Sequence, residues 1–121
     1  MTIYFSHSKS FDYKKELYEP LRNSELAKHH CFIFPHDESD NPYGTKELFQ
    51  SKNCDLVVAE VSFPATGQGI ELGWAEMLQI PIVCLYKKDA KVASSLRIIS
   101  SKFIEYKDSE SMIEDLTKLL R

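Results

Sequence analysis

The sequence predicts an α/β fold, a parallel sheet with helices on both faces, and two observations carry the prediction. Five short, nearly continuous apolar runs punctuate the chain, and the stretches between them hold apolar residues at helical spacing. Runs rich in β-branched and aromatic residues, without regular alternation of apolar and polar positions, are what strands covered on both faces look like. Strands that alternate with helices form βαβ crossovers, and crossovers join parallel strands.

The strand candidates are residues 3–5, 31–34, 56–59, 80–86 and 103–106. Phe11, Leu17, Tyr18 and Leu21 mark the first helix, which Pro20 kinks or splits in two because it lacks an N–H. Residues 45–53 form a short second helix. Ile70, Leu72, Trp74, Ala75, Met77 and Leu78 mark a third, apolar on more than one face, and Val92, Leu96 and Ile99 a fourth. Met112, Ile113, Leu116, Leu119 and Leu120 form an amphipathic stripe after Asp108 and Ser109, an N-cap pair. Five strands in this arrangement adopt the flavodoxin-like, Rossmann-like order 2-1-3-4-5 in a three-layer sandwich, with residues 1–121 forming one domain. Ligands of such sheets bind beyond the carboxyl ends of the strands, where the strand order reverses. The one long polar loop, residues 35–44, follows the second strand.

Composition narrows the class. With 43% hydrophobic and 12% aromatic residues the chain is expected to bury a core, which excludes disorder. A net charge of −3 lacks the basic footprint of a nucleic-acid-polymer binder. No apolar run reaches the ~20 residues of a membrane span, and no basic-then-apolar leader opens the sequence. Cys31, Cys54 and Cys84 are scattered, which fits a reducing compartment and a cytoplasmic location. Cys31 and Cys84 lie within apolar runs and read as small hydrophobes.

Three of the four glycines, Gly67, Gly69 and Gly73, fall in the segment that begins at the end of the predicted third strand and runs into a helix. Glycine there lets the backbone turn tightly and approach a ligand, and a helix N-terminus offers free N–H groups. Gly73, one turn in, would admit a close neighbour. The spacing matches neither a Walker A loop nor GxGxxG. Glu71 is either a functional carboxylate or a first-turn acid favoured by the helix dipole. His36, just after the second strand, is placed to contact a base or sugar. With Asp37 and Glu38 adjacent in sequence, it makes no metal site. Glu60 either lines the site or is paired, His29 and His30 read as a solvated turn, and Trp74 as a packing or interface residue.

The stretch from Asp55 to Ala75, DLVVAEVSFPATGQGIELGWA, resembles the signature of the nucleoside 2-deoxyribosyltransferase superfamily, closest to its small deoxynucleoside 5′-monophosphate N-glycosidases. The resemblance extends to the opening Ile3 to Ser8 and to Ser94 with the residues after it, and its specific part is Gly67 to Ala75. It implies a flavodoxin-like fold and cleavage or transfer at the N-glycosidic bond of a nucleoside or its 5′-monophosphate. It makes Glu71 the carboxylate that attacks C1′ of the sugar, a sensible role because glycosyl transfer passes through an oxocarbenium-like state that a carboxylate can trap. Glu47, eight residues before Asp55, stands where the family carries an Asp that would assist the leaving base. A solvated helix residue is the other reading of Glu47.

By the same resemblance Tyr4, Ser6, His7 and Ser8 line the sugar and phosphate site, backed by N–H groups from Gly67 to Gly69. His7 replaces a glycine of the family's loop, Ser10 an arginine, and Ala65 a phosphate-contacting serine. Ser94 matches a residue that reaches a neighbouring subunit's site, implying a homodimer or higher homo-oligomer; helix capping is the alternative. The implied partner is a small nucleoside or nucleotide, with no cofactor, metal or membrane. A nucleotide-binding or sensing module that has lost catalysis is the rival function.

Overall fold

The computed structural model describes all 121 residues, Met1–Arg121. Its elements run β1 (Thr2–His7), a π-helical turn (Lys14–Tyr18) continuing into α1 (Glu19–Arg22), α2 (Leu26–His29), β2 (Cys31–Ile33), α3 (Thr45–Gln50) and β3 (Leu56–Glu60). There follow α4 (Thr66–Met77), β4 (Ile82–Lys87), a 3-10 helix (Ser94–Ile98), β5 (Lys102–Tyr106) and α5 (Ser109–Leu119). The five strands form one sheet in the order β2-β1-β3-β4-β5, every pair parallel. This is the flavodoxin-like arrangement the apolar runs imply. No helix is long and apolar enough to cross a membrane.

Because side chains alternate across a strand, the sheet splits the core in two. Ile3 and Phe5 of β1, Leu56 and Val58 of β3 and Leu85 of β4 pack with Leu17, Leu21, Met112 and Leu116 on the α1/α5 side. Tyr4, Val57, Ala59, Ile82 and Cys84 face the other way, onto Phe49 of α3 and Leu72 and Ala75 of α4. The same alternation sends Tyr4 and Ser6 toward α4. The reversal of strand order lies between β1 and β3, where His7 pairs in register with Glu60 at the carboxyl end of the sheet.

Several local expectations change. Pro20 does divide the first helix. The chain makes a π-helical turn to Tyr18 and then α1, in whose first turn the proline occupies a position that needs no N–H partner. Helix α2 was hidden because one buried side chain, Leu26, anchors its four residues, too few to display a period. The fourth predicted helix is a 3-10 segment with no fully buried residue. At the C-terminus Asp108 accepts from Ser111 N–H, and Ser111 Oγ accepts in return, a capping box on α5. Cys31 corrects the reading of its thiol as a buried hydrophobe. Its strand is the sheet edge and the cysteine is exposed, whereas Cys54 and Cys84 are buried. Burial pushes the Cys84 thiol up to about 11.

Candidate active site

Glu71 lies in the second turn of α4, half-buried, over the carboxyl end of β1. Its Oε2 accepts hydrogen bonds from the Tyr4 phenol and from Thr45 Oγ1 at 3.1 Å, and its Oε1 accepts from Ser6 Oγ at 3.3 Å. Tyr4 and Thr45 are themselves 2.8 Å apart. Two residues of one β1 face and the first residue of α3 therefore converge on one carboxylate. Burial raises the Glu71 carboxyl above the ordinary range, and the hydrogen bonds from Tyr4, Thr45 and Ser6 pull it part of the way back. Burial and then the charge of Glu71 raise the Tyr4 phenol strongly, so it stays protonated and donates.

The first turn of α4 is held by the end of β3. Gln68 Nε2 donates to the Glu60 carbonyl at 2.8 Å, and Glu60 itself, 1% exposed, accepts from Ser62 N–H at 2.7 Å, Ser62 Oγ at 2.9 Å and the Tyr106 phenol. Glu60 is thus a paired residue of the strand end. Ala65 caps α4 in extended conformation with no side-chain partner for the first N–H groups. Gly67 and Gly69 do not serve the turn expected of them, whereas Gly73 is helical as read. All three lie within α4, none has a positive φ, and a Cβ on any of them would meet nothing within 4 Å. At Gly67 and Gly69 the missing side chain leaves the helix start open. At Gly73 no neighbour within the chain requires it.

Glu71 opens onto a cleft of about 530 Å³. Ser8, Lys9, Ser10, His36 and Asp40 line it on the side of the loops after β1 and β2, and Tyr43 and Thr45 on the side of α3. Ala65, Gly67, Gln68 and Trp74 complete it from α4 and its approach. His7 forms part of the floor, with its ring stacked on Tyr13 at 4.3 Å. Its Nδ1 lies 2.8 Å from the Ser8 carbonyl, which can only accept, so Nδ1 carries the proton. Nε2 then accepts from the Tyr18 hydroxyl at 2.6 Å, and that hydroxyl accepts from His36 N–H at 3.1 Å. Burial pushes His7 down to about 4, so this imidazole is neutral. His36 is also lowered, by burial and then by Lys9, and its buried Nδ1 has no partner.

The neutrality of His7 has a measurable consequence. Its folded value is depressed, so between pH 6.5 and 4 the unfolded chain binds a proton that the folded chain refuses. This contribution to stability is complete above the unfolded value and is lost as pH falls toward 4. Thermal melts across that window should show a falling Tm, and His7→Gln should flatten the slope.

The structure gathers Tyr4, Ser6, His7, Ser8, His36, Ala65, Gly67 and Glu71 around or beneath one cleft, while Gly69, between the lining residues Gln68 and Ile70, faces a neighbouring hollow. Two sequence candidates lie elsewhere. Glu47 is exposed, its side chain makes no hydrogen bond, and it is not in the cleft wall. It follows Thr45 by two positions, about 200° round the helix, so α3 cannot turn both residues inward. Ser94 is exposed and lines a separate hollow of about 620 Å³ with Tyr86, Arg97 and Phe103. Sequence reading missed Thr45 and Asp40. Thr45 had a signal in its spacing of four from apolar Phe49, which puts both on one helix face. No group of three or more His, Cys, Asp or Glu side chains is placed to hold a metal ion.

The fold and site define a doubly wound α/β protein with a hydroxyl-clamped carboxylate in a cleft at the strand-order reversal. No protein-family model matches the chain. A Methanosarcina mazei protein named as a 2′-deoxynucleoside 5′-phosphate N-hydrolase 1 is 30% identical over 79 residues, 63% of this chain and 49% of that protein. The 5-hydroxymethyl-dUMP N-hydrolase of Mus musculus is 40% identical over 52 residues, 42% of this chain and 30% of that protein. These matches span half or less of the relatives' own length. Among solved structures, the Clostridium botulinum CMP N-glycosidase BcmB superposes with a TM-score of 0.72 at 21% identity, covering 98% of this chain and 99% of that one. A protein of Enterococcus faecalis V583 has the same fold, with a TM-score of 0.59 at 18% identity over 98% of each chain. The sequence matches are to proteins named as N-hydrolases of deoxynucleotides, and the structural matches show the shared fold.

Proposed function

We propose that the protein cleaves the N-glycosidic bond of a nucleoside 5′-monophosphate by hydrolysis, with Glu71 as the nucleophile. The observation that carries this reading is the asymmetry of the Glu71 carboxylate. Oε2 takes the Tyr4 and Thr45 hydroxyls, while Oε1 keeps only the longer bond from Ser6. Oε1 is therefore the oxygen with free lone pairs, and it attacks C1′ as the C1′–N bond breaks. Water then attacks C1′ of the glycosyl-enzyme, releasing Glu71, and its proton balances the one the departing base takes up. Ser8, Lys9 and the uncapped start of α4 would receive the phosphate. The names of the relatives support N-glycosidic chemistry on nucleotides.

In this reading residues 1–121 act as one domain. Ser94, exposed and away from its own chain's cleft, would complete the cleft of a second copy. Release of free base from nucleosides and 5′-monophosphates, ribo and deoxy, with and without a second base, tests the reaction and separates hydrolysis from transfer. Loss of all turnover across that panel by a folded protein would leave a nucleotide-binding module. In the same assay Glu47→Gln should keep activity within about twofold of wild type, because an exposed residue's neutral isostere alters little. A larger loss would show that Glu47 reaches the substrate.

A further inference from the structure

We propose that Thr45 is the positioning residue for Glu71, gripping Oε2 from the start of α3 so that Oε1 is the oxygen presented to the cleft. This deepens the reaction proposed above and rests on it. Thr45 is only 3% exposed, an unusual place for a hydroxyl unless it is bonded, and both partners it finds belong to the site. Tyr4 and Thr45 have one hydroxyl proton each. The neutral phenol gives its proton to Oε2. Thr45 then gives its own either directly to Oε2 or to the phenol oxygen, where it strengthens the Tyr4 bond to the carboxylate. Either choice concentrates the donors on the same oxygen.

Helix α3 fixes this geometry twice over. The Phe49 ring, one turn on from Thr45, meets the Tyr4 ring edge-on at 5.3 Å and 81°. Thr45 then holds the hydroxyl at the far end of the same tyrosine. The carboxylate of α3, Glu47, lies on the opposite side of the helix and is exposed. What α3 brings to Glu71 is thus a neutral hydroxyl in place of a second acid, which avoids the repulsion of two carboxylates in a buried site. The other titratable or charged groups around the cleft are Tyr4 and His7 from β1, Lys9 from the loop after it, and His36, Asp40 and Tyr43 from the loop after β2. Of these side chains only Tyr4 bonds to the Thr45 hydroxyl.

The test uses the full chain with Thr45→Val, Thr45→Ala and Thr45→Ser. Base release across pH and the titration of the Glu71 carboxyl by carbon NMR are read on each. Loss of a donor to the charged form should raise the Glu71 value. In Thr45→Val and Thr45→Ala, kcat should fall about ten- to a hundredfold with KM within about twofold, the cost of a hydrogen bond to a charged group. The acid limb of the pH–rate profile should move upward with the carboxyl titration. Thr45→Ser should restore most of the rate and the position of the limb. Should Val be too poorly packed to fold, Ala removes the hydroxyl with a smaller side chain. An unmoved Glu71 titration in the apolar variants overturns the proposal, as does a serine variant no better than alanine. A titration shifted in the apolar variants, with no base released even by wild type, would refute the reaction and leave the Thr45 contact standing.

Discussion

Replacement of Glu71 by glutamine leaves a folded protein that releases base at least about a thousandfold more slowly, the scale on which loss of a covalent nucleophile is felt. The amide oxygen can still accept from Tyr4 and Thr45, so the clamp persists and the cleft keeps its shape. Nucleotide binding, followed by calorimetry, should stay within about fivefold of wild type, since the change removes an interaction realised in the transition state. Equal losses in binding and turnover would make Glu71 a ligand-binding group instead. With Glu71 as the proposed nucleophile, the buried carboxyl also predicts that wild-type activity falls on the acid side at a pH above the ordinary carboxylate range, because only an ionised carboxylate can attack.

Glu60→Ala gives the largest loss of stability among the polar positions, about 3 kcal/mol, from burying donors without an acceptor. Ser62 N–H, Ser62 Oγ and the Tyr106 phenol all give their protons to this one side chain. Tyr106 ends β5 and Glu60 ends β3, so the residue joins strands on either side of β4. In a chain of 121 residues that loss lowers Tm by about 10 °C, measurable by calorimetry. Tyr106→Phe, which removes one donor, should cost about 1–2 kcal/mol. The carbonyl of Glu60 holds Gln68, so the alanine variant should also loosen the start of α4 and reduce turnover. Melting unchanged within about 1 °C would show that water takes over these partners at no cost.

The fold was legible because its signals are distributed. Val57, Val58 and Ala59 read as a buried strand whatever surrounds them, and α5 shows its stripe and its cap in sequence alone. Glu71 was legible from the glycine-rich block beside it. What escaped depends on tertiary placement. Cys31 sits in an apolar run, but the run became a sheet edge, which only the strand order reveals. Gly67 and Gly69 looked like turn residues, yet the turn is made by the extended Ala65 before them, and the glycines are helical. Glu47 was singled out for its acid group, whereas helix geometry turns Thr45 inward in its place. A threonine before a lysine and a glutamate carries no chemical signature. Its role exists only because β1 alternation brings Tyr4 beneath it.

Whether Glu71 Oε1 forms a bond to the sugar is tested most directly by intact-mass spectrometry of the protein quenched during turnover. The expected result is a mass increase equal to the glycosyl phosphate, located after digestion to the peptide bearing Glu71 and absent from Glu71→Gln. Base release with no adduct on Glu71, at a rate that Glu71→Gln shares, would contradict it.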